Sequence, residues 1–407
     1  MKKNILFITR NGLLEPLGQS QILSYLIPLS KEFSINIISF EKNIDIENKQ
    51  HLSKITSICQ RNNIKWTPLK YRKTIRQVSV ILGFVELFVK VFKVCKKEHI
   101  NIIHARSYFP AFIALLIYNL FSIPFVFDMR ALWVDELVTS KRLKTGSLAY
   151  NITRHLEKKC LKNSASIVSL TKAAIIHMDK IHPKLNIISK ASYIPTCTNL
   201  EHFKLKEFKP VNNDEKIIIS SVGTLLSGWF RIDLFKKVVD ILLSKYDIYI
   251  EILTRDDPEK VMKMLDANNK FSDRITVQSV LFEKIPSKIA KHHGSILFYN
   301  TDVSRLGSCP TRMGELFGVG VPILANPGVG DFKNIISEKS IGVIIENDYS
   351  LEEIEKSIDT FMKLIQEKSI SKRCREIAEE FFSLESGVKN YIAIYSNTLI
   401  GKTFSNL

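Results

Sequence analysis

Three stretches of this sequence hold residue types suited to an anionic, hydroxyl-rich ligand. In the second half runs Ser304-Arg305-Leu306-Gly307-Ser308-Cys309-Pro310-Thr311-Arg312-Met313-Gly314-Glu315. A turn rich in Gly, Ser and Pro leads there into a helix, with Thr311 as the expected cap. Arg312 and Glu315 are three residues apart, so they share one helix face. They form either an ordinary surface ion pair or a nucleotide clamp. In the clamp, N–H groups and arginine meet phosphate and the carboxylate meets a ribose diol. Gly318 and Gly320 are expected to release the chain sharply from the helix. The following loop, Asn326-Pro327-Gly328-Val329-Gly330-Asp331, opens another helix and can form a second anion nest.

Two stretches of the first half carry the same kind of chemistry. The loop Arg10-Asn11-Gly12-Leu13-Leu14-Glu15-Pro16-Leu17-Gly18-Gln19-Ser20 delivers Gly18 to a helix N-terminus, where N–H groups and the helix dipole favour phosphate. A plain tight turn accounts for it equally well. It contains neither G-x-G-x-x-G nor G-x-x-x-x-G-K-[ST], which argues against nicotinamide Rossmann enzymes and P-loop enzymes. His104-Ala105-Arg106-Ser107 and Phe127-Asp128-Met129-Arg130 follow two short apolar runs. Polar residues at the carboxyl ends of parallel strands are where such sheets place their chemistry. The plainer alternatives are a satisfied core histidine and a structural ion pair. No D-x-D motif is present, and Asp256-Asp257 and His292-His293 are adjacent pairs, which rarely converge on one metal. No metal is expected.

These residues need a scaffold, and the apolar pattern supplies one. Short apolar runs (Asn4–Thr9, Ile35–Phe40, Ile64–Leu69, Ile100–Ile103, Phe125–Phe127, Ser166–Ser169) alternate with helical stretches, among them Ser20–Lys31, Thr74–Lys97 and Leu143–Leu161. That spacing predicts a parallel sheet with helices on both faces. Pro195, Asn199, Pro210 and Asn212-Asn213 break the pattern. It then restarts with Ile217–Val222, Ile248–Leu253, Ile275–Val280, Ile296–Tyr299 and Val321–Ala325. The expected domains are residues 1–198 and 213–385, joined by a linker at 199–212. A C-terminal helix at about 386–407 is expected to pack back on the first domain. The fold class is therefore α/β: two doubly wound, Rossmann-like parallel-sheet domains facing an interdomain cleft, where ligands are expected.

Composition narrows the class further. The 407 residues include 58 Lys+Arg against 41 Asp+Glu, a formal +17. Residues 1–200 carry 30 basic and 12 acidic residues (+18), whereas 201–407 carry 28 and 29 (−1). The excess suggests different partners for the two halves. A nucleic-acid partner is not expected, because no known module accompanies the charge. The segment Arg72–Lys97 interleaves Lys90, Lys93, Lys96 and Lys97 with Ile81, Leu82, Phe84, Leu87, Phe88 and Phe92. It reads as an ordinary amphipathic helix or as a docking surface for anionic lipid. The 21 uncharged residues Ser107–Phe127 approach the length of a membrane span, but Pro110, Asn119, Ser122 and Pro124 punctuate them, so a buried helix, turn and strand are expected. Six scattered cysteines without a C-x-x-C pair read as thiols in a reducing compartment. The short apolar run after Met1-Lys2-Lys3 reads as a first strand rather than a signal peptide.

With these stretches in order, the chain resembles the retaining family 4 (group 1) GT-B glycosyltransferases of bacterial surface-polysaccharide synthesis. The resemblance covers nearly the whole chain. It rests on Gly12-Leu13-Leu14-Glu15-Pro16-Leu17-Gly18-Gln19-Ser20-Gln21, on Ile103-His104-Ala105-Arg106-Ser107 with Phe127-Asp128-Met129-Arg130, and on Pro310-Thr311-Arg312-Met313-Gly314-Glu315. It implies a metal-independent, hexosyltransferase-like enzyme without a cofactor. Such an enzyme moves a sugar from a UDP- or GDP-type donor to a lipid-linked or glycan acceptor. Its place would be cytoplasmic, peripheral on the inner face of the cell membrane. The resemblance implies that Gly18 lies under the diphosphate and that His104 contacts the donor sugar. It makes His104, Arg312 and Glu315 the catalytic group, and Gly18, Arg305, Ser308, Arg312, Glu315, Asn326 and Gly328 the donor-binding set. Arg106, Asp128 and Arg130 fall on the acceptor side.

Glu315 matches the second glutamate of the family's E-x7-E element, but the first falls at Gly307. Where many members carry an Arg and then a Lys as diphosphate clamps, this chain has Thr224 and Trp229. Arg312 is the first candidate to replace that charge, then Arg305, then Arg231. An inactive GT-B scaffold and a GT-B-type sugar-nucleotide epimerase are the alternative functions.

Overall fold

The computed structural model describes residues 2–71, 76–205, 216–266 and 270–404. The chain divides into two units: Met1–Pro195 with Leu384–Leu407, and Thr196–Ser383. Pro210 and Asn212 of the expected linker, and Asn213 at the start of the second expected domain, lie outside the described residues. Residues 196–205 belong to the second unit, where Phe203 joins the core.

The first unit is built on seven parallel strands: β1 (Asn4–Thr9), β2 (Ser34–Glu41), β3 (Lys65–Lys70), β4 (Ile102–Arg106), β5 (Phe125–Asp128), β6 (Ser166–Ser169) and β7 (Ala191–Tyr193). Their order is β3-β2-β1-β4-β5-β6-β7. Ile5, Leu6, Ile8, Ile35, Ile37, Ile102, Ile103, Phe125 and Phe127 are fully buried, as expected of strands covered on both faces. Strand order reverses direction between β1 and β4, so the loops leaving these two strands diverge and open a crevice at their carboxyl ends. Those loops carry Gly12–Gly18 and Ser107.

The second unit repeats the plan with six parallel strands: β8 (Ile217–Val222), β9 (Ile248–Leu253), β10 (Ile275–Gln278), β11 (Gly294–Leu297), β12 (Ile323–Ala325) and β13 (Gly342–Ile344). The order β10-β9-β8-β11-β12-β13 puts the switch between β8 and β11. One apolar cluster, including Phe235, Phe298, Phe317, Phe332 and Phe361, fills this unit.

The stretch that approached membrane-span length folds as the helix Tyr108–Phe121, a left-handed turn at Ser122 (φ 54°) and strand β5. Among the described residues no helix is long and apolar enough to cross a membrane.

Candidate functional site

In the second unit, the loop leaving β8 is tied to the segment leaving β11. The Asn300 amide donates to the Trp229 carbonyl (2.9 Å), and the Arg231 amide donates to the Phe298 carbonyl (3.1 Å). After β11, Asp302 caps a short 3-10 helix, Val303–Gly307, by accepting from the Ser304 amide at 2.8 Å. Then comes the helix Thr311–Val319, whose N-cap is Pro310. Thr311 is thus its first helical residue and makes no side-chain cap. Proline suits that boundary because its fixed φ and missing N–H fit a position just outside the helix. At the other end Gly320 takes φ 88°, which lets the chain turn back into β12. Gly318 lies within the helix, where a Cβ would come within 2.9 Å of the Leu200 side chain; it serves packing rather than the turn.

Arg312 and Glu315 form an ion pair on that helix. Glu315 is only 6% exposed, and burial raises its carboxyl above the usual 4.5 although Arg312 pulls the other way. Tyr299, half-buried, sets its phenol close enough to feel both charges, and desolvation pushes it up to about 12. Asn326, fully buried, accepts from the Tyr299 amide and donates to the Tyr299 carbonyl, each at 2.9 Å. Its carboxamide therefore fixes the β11 exit. Gly328 has φ 89°, and a Cβ there would come 2.8 Å from Thr301 Cγ2. Arg305 sets its guanidinium over the Trp229 ring, with Cζ 3.4 Å from the ring centroid, and its Nη1 lies 3.5 Å from Ser308 Oγ. Arg231 instead reaches Asn347. The sequence-derived set of Arg305, Ser308, Arg312, Glu315, Asn326 and Gly328 thus lies on three successive segments after β11 and β12.

In the first unit the expected residues meet in a buried network. His104 stands opposite Phe7 in the β1–β4 register and stacks on it, with ring centroids 4.3 Å apart. Its Nδ1 lies 2.7 Å from the Tyr395 hydroxyl, and its Nε2 lies 3.3 Å from Asp128 Oδ2. Asp128 also accepts from the Tyr391 hydroxyl at 3.1 Å, with Arg106 Nη1 at 3.7 Å and Arg130 Nη1 at 3.9 Å. Burial would raise the Asp128 carboxyl, but Arg130, His104 and Arg106 outweigh it and hold it below 3.8. Burial lowers His104 below 6.5 and Arg106 to about 10. His104 is 1% exposed. The arrangement holds the imidazole in one orientation between a phenol and a carboxylate.

The β1 loop is shaped by a residue that the motif reading passed over. Glu41, fully buried at the end of β2, accepts from the Leu13 amide (2.8 Å) and the Leu14 amide (3.1 Å). Its side chain thus ties down two N–H groups of the loop. Gly18 packs so tightly that a Cβ would stand 1.8 Å from the Gly12 carbonyl oxygen, so glycine there closes the loop. Tyr391, Tyr395, Glu41 and Tyr299 were all absent from the sequence-derived set. An acid ending an otherwise apolar strand was the visible signal for Glu41. Tyr391 and Tyr395 lie more than two hundred residues from the groups they bond and gave none, and Tyr299 stands in no motif. Among the described residues, no group of three or more His, Cys, Asp and Glu side chains is arranged to hold a metal.

No protein-family model matches the chain, and no curated protein matches it in sequence. Solved structures match its fold along nearly its whole length. The sucrose-phosphate synthase of Thermosynechococcus elongatus superposes with a TM-score of 0.72 at 12% identity, covering 98% of this chain and 100% of that one. A glycosyltransferase from Rickettsia africae gives 0.70 at 15% identity, covering 98% and 99%. Anabaena HepE in complex with UDP gives 0.66 at 12% identity and full coverage of both chains. At these identities the likeness is one of fold, and the fold is GT-B.

Proposed function

We propose that this protein is a retaining glycosyltransferase of the family 4 type. It moves a hexosyl group from a nucleoside-diphosphate sugar to a lipid-linked or glycan acceptor in cell-surface polysaccharide synthesis. The observation that carries this reading is the Arg312–Glu315 pair, buried at its acidic end and set on the helix that follows the central strand β11. A buried carboxylate accepts well from a ribose diol, and an adjacent guanidinium suits phosphate oxygens. The GT-B fold supports it, since HepE, which shares that fold, has been solved with UDP and with UDP-glucose.

In this reading the second unit binds the donor. The leaving diphosphate is stabilised by arginine and backbone N–H groups placed beforehand, without a metal. The departing phosphate accepts the acceptor's proton on the face it leaves, so no carboxylate nucleophile is assigned. In the first unit, Arg106, Asp128 and Arg130 surround His104, hold its imidazole in one orientation and form the acceptor side. The basic first unit rests against an anionic membrane surface at the cytoplasmic face.

The test is donor turnover by purified variants. Glu315→Ala and Arg312→Ala are each expected to lower transfer by at least about a hundredfold, the scale of a lost charge-assisted contact. Folding should be retained by circular dichroism. Wild-type rates in both variants would refute the site.

A further inference from the structure

The stacked pair of Trp229 and Arg305 is built more firmly than a chance surface contact. Trp229 is 45% exposed, yet its backbone is fixed by the Asn300 amide, and Asn300 Nδ2 donates to the neighbouring Gly228 carbonyl at 2.8 Å. Arg305 is 8% exposed. Its carbonyl accepts from the Ser308 and Gly330 amides, both at 2.9 Å, and its Nε lies 3.4 Å from Asp302 Oδ2. Three loops, leaving β8, β11 and β12, therefore converge to hold one guanidinium over one indole. The convergence lies at the carboxyl ends of three adjacent strands and beside the β8/β11 switch. A guanidinium on an indole face keeps its charge and its in-plane N–H groups, while the stack removes its rotational freedom.

We infer that Trp229 is a positioning residue that fixes Arg305 as the cation meeting the donor's diphosphate. The inference rests on the transferase reading above and deepens it. It adds Arg305 to Arg312 as a cation for the phosphates and gives Trp229 a function through Arg305 rather than through the base.

The experiment is calorimetric titration of the full chain with UDP and UMP, and with GDP and GMP. The readout is the ratio of monophosphate to diphosphate Kd for whichever base binds. Arg305→Ala is expected to lower that ratio by roughly tenfold or more, and Trp229→Ala by several-fold. Trp229→Phe should preserve most of it. The double alanine variant should be no worse than Arg305→Ala alone, because the two residues act as a unit. A Trp229→Ala variant that weakens mono- and diphosphate equally would assign the indole to the base and overturn the inference. So would a ratio unmoved by Arg305→Ala. If the wild-type protein binds neither diphosphate, the transferase reading itself falls, and this inference with it.

Discussion

Glu315 combines two features that make its charge state matter: near-complete burial and a single ion-pair partner. Its carboxyl titrates above 4.5 in the folded protein because burial outweighs the attraction of Arg312. In the unliganded protein the folded state therefore holds the proton more tightly than the unfolded chain, and this group's contribution to stability declines as pH rises through that window. Ligand binding has the opposite sign, because a ribose diol donates to the carboxylate and not to the acid. Nucleoside-diphosphate affinity is expected to fall on the acid side, with a midpoint above 4.5. Glu315→Gln should bind roughly tenfold or more weakly at neutral pH and lose that acid limb. Titrations of both proteins across the weakly acid range check this; an identical acid limb in the variant would assign the titration to another group. The pair itself was legible from its i,i+3 spacing. The burial of Glu315 was not, because it depends on what the helix packs against.

At the scale of elements, the helix Arg76–Lys97 separates two stripes. Leu87, Val91 and Cys95 turn inward at helical spacing, while Ile81, Leu82, Val85 and Val89 are exposed. The adjoining helix Tyr108–Phe121 adds exposed Leu116 and Leu120, and ring contacts Phe84–Phe109 and Phe92–Phe121 join the two helices. In the membrane reading proposed above, this apolar stripe beside exposed Lys93, Lys96 and Lys97 is the docking face. Reversing Lys90, Lys93 and Lys97 to Glu is expected to weaken co-sedimentation with phosphatidylglycerol vesicles by roughly a hundredfold, at about 1 kcal/mol per basic residue. Equal binding by the variant would remove the membrane role from this helix. Most elements were readable because their apolar runs are four residues or longer. The edge strands Ala191–Tyr193 and Gly342–Ile344, three residues each, carry no such run and emerge only from pairing with β6 and β12.

At the scale of the whole molecule, the same doubly wound plan appears twice, and each copy places its polar residues at its own switch point. Alternation of runs and the break near Pro195 made both sheets legible. The first-unit network was only half legible, since Tyr391 and Tyr395 arrive from a terminal helix after the chain has built the second unit. Whole-chain charge resolves into a basic first half and a nearly neutral second half. That division matches the proposed roles: a surface-bound unit and a donor-binding unit that relies on a few placed arginines. The claim on which all of this depends is that the second unit binds a nucleoside-diphosphate sugar. Thermal unfolding of the full chain against a panel of UDP- and GDP-sugars tests it most directly, since a donor at a hundred times its Kd stabilises by about 2.7 kcal/mol. One nucleotide class is expected to raise the Tm, and Glu315→Ala to abolish the rise; a panel without any shift in the wild-type protein would overturn donor binding by the second unit.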